Sequence, residues 1–254
     1  MSGTLFTIVF FAALLILILL TGRLFALTIL KDDPEKKSRH ATIRSMTNDA
    51  IFLALIVLMT FVPYLGYISI LGGVITFTLL HLPVILGASL MGWKRGALYG
   101  LAFGFFNWIR ALTAATSPFD MLFMNPLISI LPRFLFGLIA GLLFELLRFV
   151  KKETAKRGVS AFLAALSTVI HTVLVFGSIY LFTQGEVGWL WNWLFGGDLN
   201  ALGITALALT ALGAGGEAAL AAIIVPTLHI VLVKALPRAW PSERKPTRGE
   251  KENA

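Results

Sequence analysis

The sequence predicts an all-α, polytopic membrane helical bundle: six core transmembrane helices plus one extra N-terminal transmembrane helix. Three observations predict it. The chain is 57% hydrophobic and only 13% charged, with a mean hydropathy of +0.86. Its apolar runs are continuous and approach the roughly 20 residues that cross a hydrocarbon core. They do not alternate as the strands of a membrane barrel would. Finally, the lysines and arginines fall in short clusters between those runs. The net charge of +8 is therefore a topology signal and not a nucleic-acid patch.

The elements follow in order. TLFTIVFFAALLILILLTGRLFALTIL, residues 4–30, is the first run, interrupted by Gly22 and Arg23. It lacks the basic start of a secretory signal and is too long for one, so it reads as a span. The division expected is an extra N-terminal transmembrane helix at 1–30, a basic cytoplasmic linker at 31–47, a six-helix membrane domain at 48–236 and a basic tail at 237–254. The tail is polar enough to be disordered. The six core spans are expected near 49–65, 76–91, 95–112, 125–148, 158–183 and 216–236. The stretch 200–213 is apolar but short, and GAGG at 213–216 is expected to break it from the last span.

Basic residues give the orientation. Eighteen of the twenty-one lie in 31–48, 92–95, 148–157 and the segment from Lys234 onward. The loops 66–75, 113–124 and 184–215 carry none. By the positive-inside rule the C-terminus is cytoplasmic, in a multi-pass protein of the cell membrane. The outer loops are apolar rather than solvated. GYISILGGVITFT, 66–78, reads as a strand-like or irregular cover. Trp189, Trp191 and Trp193 read as an interfacial aromatic belt or as a lid.

Polar side chains inside the spans are costly, so each needs a reason. Asn125, Ser129 and Arg133 recur at i, i+4 and i+8, which makes one slowly drifting stripe. Arg133 lies about 12 Å below the outer end at about 1.5 Å per residue. Pro126 and Pro132 loosen the hydrogen-bond ladder around it. Asn107 and Arg110 lie near the outer end of the preceding helix, and His81 and Glu217 near the outer ends of two others. A structural reading stands beside the functional one. Arg133 would ion-pair with Glu217 or Asp120, Glu217 would cap its helix, and His81, His171 and His229 would be packing histidines. Collected in one half of the membrane, these groups instead suggest an outward-facing pocket.

Gly96, Gly100 and Gly104 form GxxxGxxxG, which lets a neighbouring helix approach closely. Ala50 and Ala54 form AxxxA on the first core helix. No phosphate-binding loop, HExxH, GxSxG or acidic metal cluster is present in the sequence, so no enzyme chemistry and no cofactor is expected. With no cysteine there is neither a disulfide nor a thiolate ligand.

Three motifs carry a family resemblance. They are His-x-Pro-Val-Ile-Leu-Gly-Ala from His81, Gly-x-Lys-x-Gly-Ala-x-x-Gly-x-x-Phe-Gly from Gly92, and the run SPFDMLFMNPLISILPR ending at Arg133. With them the chain resembles the substrate-binding S components of energy-coupling factor (ECF) transporters over about 48–236, most like the pantothenate-type members. The resemblance implies a small water-soluble vitamin bound near the outer face under the first outer loop. It implies a membrane-embedded coupling subunit and two ATP-binding subunits as partners. It places Ala50 and Ala54 at the coupling subunit. On this reading His81, Asn107, Arg110, Asn125, Ser129, Arg133 and Glu217 are the candidate substrate-binding residues. The alternatives are a non-transporting membrane scaffold of similar topology and a stand-alone secondary carrier. The family has six spans, and residues 4–30 depart from it.

Overall fold

In the computed structural model, residues 39–62, 65–70, 75–115, 118–150, 152–183, 198–199 and 204–235 are described. The chain divides into two compact units, 1–43 and 44–254, and the second holds nearly all of the described residues. The expected span at 4–30, the tryptophans at 189, 191 and 193, and the tail from 237 lie outside the described residues.

The described residues are mostly helical. Helix α1 is Arg39–Phe61, followed by the strands β1 (Tyr67–Ile70) and β2 (Ile75–Thr78). Helix α2 is His81–Met91, α3 is Trp93–Ala114 and the one-turn α4 is Pro118–Leu122. Helix α5 is Pro126–Glu145, continued by a 3-10 turn at Leu146–Phe149. Helix α6 is Glu153–Thr183. The strands β3 (Asp198–Leu199) and β4 (Ile204–Thr205) precede α7, Ala206–Ala235. Among the described residues, three helical stretches are long and apolar enough to cross a membrane: Pro126–Phe149, Thr154–Thr183 and Leu212–Lys234. Large apolar side chains face outward on them, among them Phe162, Val173, Ile223 and Val231, each at least half exposed. A water-soluble surface does not carry such bands, whereas a lipid-facing one does.

Three expectations need correction. Residues 76–91 are not one span. Ile75–Thr78 is a strand paired antiparallel with Tyr67–Ile70, and the helix that follows has 11 residues. At about 1.5 Å per residue that helix is too short to cross alone. Gly92, at φ +82°, separates it from α3, a conformation that a side-chain-bearing residue rarely adopts. The last helix does not begin at 216. It runs from Ala206 straight through GAGG, because neighbours on the fold stabilise it there; Gly216 packs against the Phe77 ring of the hairpin. The all-α expectation also omits the two short hairpins, although the strand-like cover at 66–78 is present as β1–β2.

The glycine stripe sets the centre of the bundle. Gly96 and Gly100 lie against the backbone of Gly137, and Gly104 against that of Ile130, so α3 and α5 touch main chain to main chain. A Cβ on Gly100 would collide with the Arg133 carbonyl. Small residues are what permit this approach in an apolar solvent, where dispersion at close range replaces the hydrophobic effect. Where the first turns of α3 meet the middle of α1, Arg95 pairs with Asp49 at 2.5 Å and the Tyr99 hydroxyl donates to Asp49 at 2.7 Å. At the other ends, Ala111, Phe123, Ile128, Val175 and Ile179 form an apolar cluster that joins α3, α5 and α6.

Candidate functional site

Asn125 begins the site as a helix cap. Its side-chain oxygen accepts from the Leu127 backbone N–H at 3.0 Å, and Pro126 fills the first helical position. Both residue types suit those positions. One turn on, Ser129 is fully buried and donates to the Gly104 carbonyl at 3.1 Å. It also accepts from the Asn107 amide at 3.1 Å. Asn107 in turn accepts from the Tyr67 hydroxyl at 2.9 Å. A polar chain thus runs from the hairpin through α3 to α5. Burial raises the Tyr67 phenol pKa above its ordinary 10.0, with Arg110 pulling the other way, so the hydroxyl stays a donor.

Arg133 follows one further turn down and is 5% exposed. Its Nη1 donates to the Ser129 carbonyl at 2.8 Å and, at a long 3.4 Å, to that of Ile128. The second contact has a local cause. Pro132 has no N–H to give the Ile128 carbonyl four residues back, so the arginine side chain reaches it instead. The guanidinium carbon lies 5.1 Å from the Phe103 ring centre and 4.7 Å from that of Phe123. Cation–π contacts of this kind contribute about 0.5–2 kcal/mol each. Arg133 Nε is buried and makes no hydrogen bond.

The ion pair expected for Arg133 does not form. Asp120 pairs with Arg110 at 3.0 Å, and Glu217 accepts from the Thr78 backbone N–H at 2.6 Å. Helix placement decides this: α4 brings Asp120 to the end of α3, and β2 lies against α7. No carboxylate among the described residues is in ion-pair contact with Arg133. Arg110 stacks over the Tyr67 ring at 4.4 Å, and the Arg110 and Arg133 charges act on one another. Among the described residues, the site therefore holds two guanidinium groups close to one carboxylate.

His81 is fully buried at the start of α2, beside the Thr78 backbone but without hydrogen-bond geometry to either ring nitrogen. Asn107, Arg110, Ser129 and Arg133 are thus brought together, whereas His81 stacks on His171, which packs on the Phe103 ring under Arg133. Asn125 points its oxygen at its own helix. Glu217 belongs to the hairpin's other edge and is not the opening residue of its helix. Ser167 bonds its own helix at Leu163, and His229 bonds Ser89, as packing residues do. Ala50 and Ala54 lie on the exposed face of α1. Sequence reading missed Tyr67, an aromatic in a loop that only the hairpin turns inward.

Residues 44–233 match a family described as the substrate-specific component of ECF transporters. Among curated proteins, the chain is 31% identical over 177 residues to the pantothenic acid transporter PanT of Lactococcus lactis subsp. cremoris. That match covers 63% of this chain and 83% of the relative. It is 34% identical over 125 residues to the pantothenate transporter PanT of Leuconostoc mesenteroides subsp. mesenteroides, covering 48% of this chain and 61% of that one.

Proposed function

The chain belongs to the substrate-specific components of ECF transporters, and from that premise we propose that it binds pantothenate in an outward-facing pocket. It then hands the vitamin to a coupling membrane subunit driven by two ATP-binding subunits. The observation that carries the reading is Arg133: buried, aromatic-walled, and not paired with any carboxylate of the described residues. An isolated buried cation is expensive, and a carboxylate from a ligand offsets that cost. Guanidinium groups bind carboxylates in a two-pronged geometry that a lysine does not match. Both curated relatives are pantothenate transporters by name, and pantothenate is such an acid.

The other residues take roles around that contact. Arg110 and Arg133 attract the carboxylate, while Asp120 steadies Arg110. Asn107 and Ser129 hold the arginine-bearing wall and offer amide and hydroxyl groups to the ligand. The hairpin is the cover, fastened on one side by Tyr67 to Asn107 and on the other by Thr78 to Glu217. Glu217 is thus a positioning residue. Ala50 and Ala54, exposed on α1, supply the surface for the coupling subunit, where small side chains permit close helix contact.

A thermal-shift panel of water-soluble vitamins on the detergent-purified protein tests this reading. A ligand at a hundredfold excess over its Kd stabilises by about 2.7 kcal/mol. Pantothenate alone is expected to raise the melting temperature. Stabilisation by a different vitamin contradicts the cargo, and stabilisation by none contradicts the binding role. Co-expression with the coupling and ATP-binding subunits, followed by purification on this chain, tests the partners.

A further inference from the structure

We infer that His81 and His171 form a second polar subsite, one that reads hydroxyl groups at the end of the ligand away from its carboxylate. The inference rests on the binding reading above. It starts from buried groups that the fold does not satisfy. His81 is 0% exposed and neither Nδ1 nor Nε2 has a partner. His171, one helix away on α6, is 7% exposed, and its Nε2 has none either. Leaving such atoms unpaired costs about 1–3 kcal/mol each. Two imidazoles so placed, on different helices and side by side, are not explained by packing alone.

The geometry joins them to the arginine site. The two rings are nearly parallel, 6.0 Å apart at 20°. His171 packs at 4.8 Å from Phe136 and 5.7 Å from Phe103. Phe103 is also the ring under Arg133, at 5.1 Å. One aromatic residue therefore separates the anion end from the histidine end, a length that a small acid spans. Each neutral imidazole offers one donor and one acceptor, the complement of a hydroxyl group. The Phe103 ring lies between the two ends, where the ligand's methylenes and amide plane would pack. The ligand class is a short acid with hydroxyl groups at its far end. A site that hydrogen-bonds a hydroxyl rejects the analogue lacking it far more strongly than an apolar pocket rejects a missing methylene.

The test is titration calorimetry of the full chain in detergent with two probes. One is pantothenate, and the other is N-(3,3-dimethylbutanoyl)-β-alanine, which keeps the carboxylate and amide and lacks both hydroxyl groups. The wild type is expected to bind pantothenate at least about tenfold more tightly. His171→Phe and His81→Phe are expected to remove that difference, weakening pantothenate about tenfold while leaving the second probe within about twofold. His171→Gln, which keeps hydrogen-bonding groups, is expected to restore part of it. Equal affinity of the wild type for both probes overturns the subsite and leaves the binding reading standing; it needs no variant to fold. Equal losses for both probes, or no loss, in a folded histidine variant also overturn it. Binding of neither probe by the wild type overturns the binding reading and the subsite together.

Discussion

Arg95 and Arg133 sit on the two helices that touch backbone to backbone, yet they are partnered in opposite ways. Arg95 lies at the start of α3, where Asp49 of α1 meets it at 2.5 Å and Tyr99 completes the carboxylate. Charge, counter-charge and hydroxyl are all supplied by the fold. Arg133 is nearly as enclosed as a side chain can be, and from the described residues it receives two carbonyls and two aromatic faces but no carboxylate. The first arrangement fastens α1 to α3. The second leaves a buried cation without a carboxylate from the described residues. A buried arginine is thus not informative by burial alone; what matters is whether the fold completes its hydrogen bonds and charge.

Four substitutions probe this contrast. Gly100→Leu strikes the scaffold that both arginines share. Its side chain must displace the Arg133 carbonyl and the Gly137 backbone, neither of which is a flexible side-chain end. A loss of about 3 kcal/mol or more is expected, read as loss of a monodisperse peak in size-exclusion chromatography. Arg133→Ala is expected to weaken pantothenate about 100-fold in calorimetry. Its ligand-free melting temperature should hold or rise, since an unpaired buried charge is removed. Asp49→Ala should behave in the reverse manner. It removes the carboxylate that Tyr99 and Arg95 share and costs about 1–3 kcal/mol of stability in chemical denaturation, with the Kd unchanged. Tyr67→Phe removes one hydrogen bond from the cover, and a roughly fivefold weaker Kd is expected, about 1 kcal/mol. If Arg133→Ala destabilised and Asp49→Ala abolished binding, the contrast would be inverted.

Much of the bundle was legible because membrane helices announce themselves by length and apolarity. The stripe Gly96, Gly100, Gly104 predicted a close helix contact, and α5 makes it. GAGG misled, because glycine's low helix propensity is a local quantity and the packing of Gly216 on Phe77 overrode it. The residues at 76–78 were merged into a span because a short apolar strand and a buried helix look alike in one dimension. At the site, the Asn125, Ser129, Arg133 stripe was visible, but the cap at Asn125 was announced by the following Pro126 and passed over. Which carboxylate met which arginine was not legible at all. Asp120 and Glu217 were both reasonable partners for Arg133, and only the docking of α4 on α3 and of β2 on α7 assigns them elsewhere.

Calorimetry of pantothenate against the purified wild type and Arg133→Ala, side by side, tests whether Arg133 is held for a ligand carboxylate. A saturable one-to-one isotherm is expected for the wild type, and an affinity about 100-fold weaker for a variant that melts no lower. An equal affinity for the folded variant, or no binding by the wild type, would contradict it.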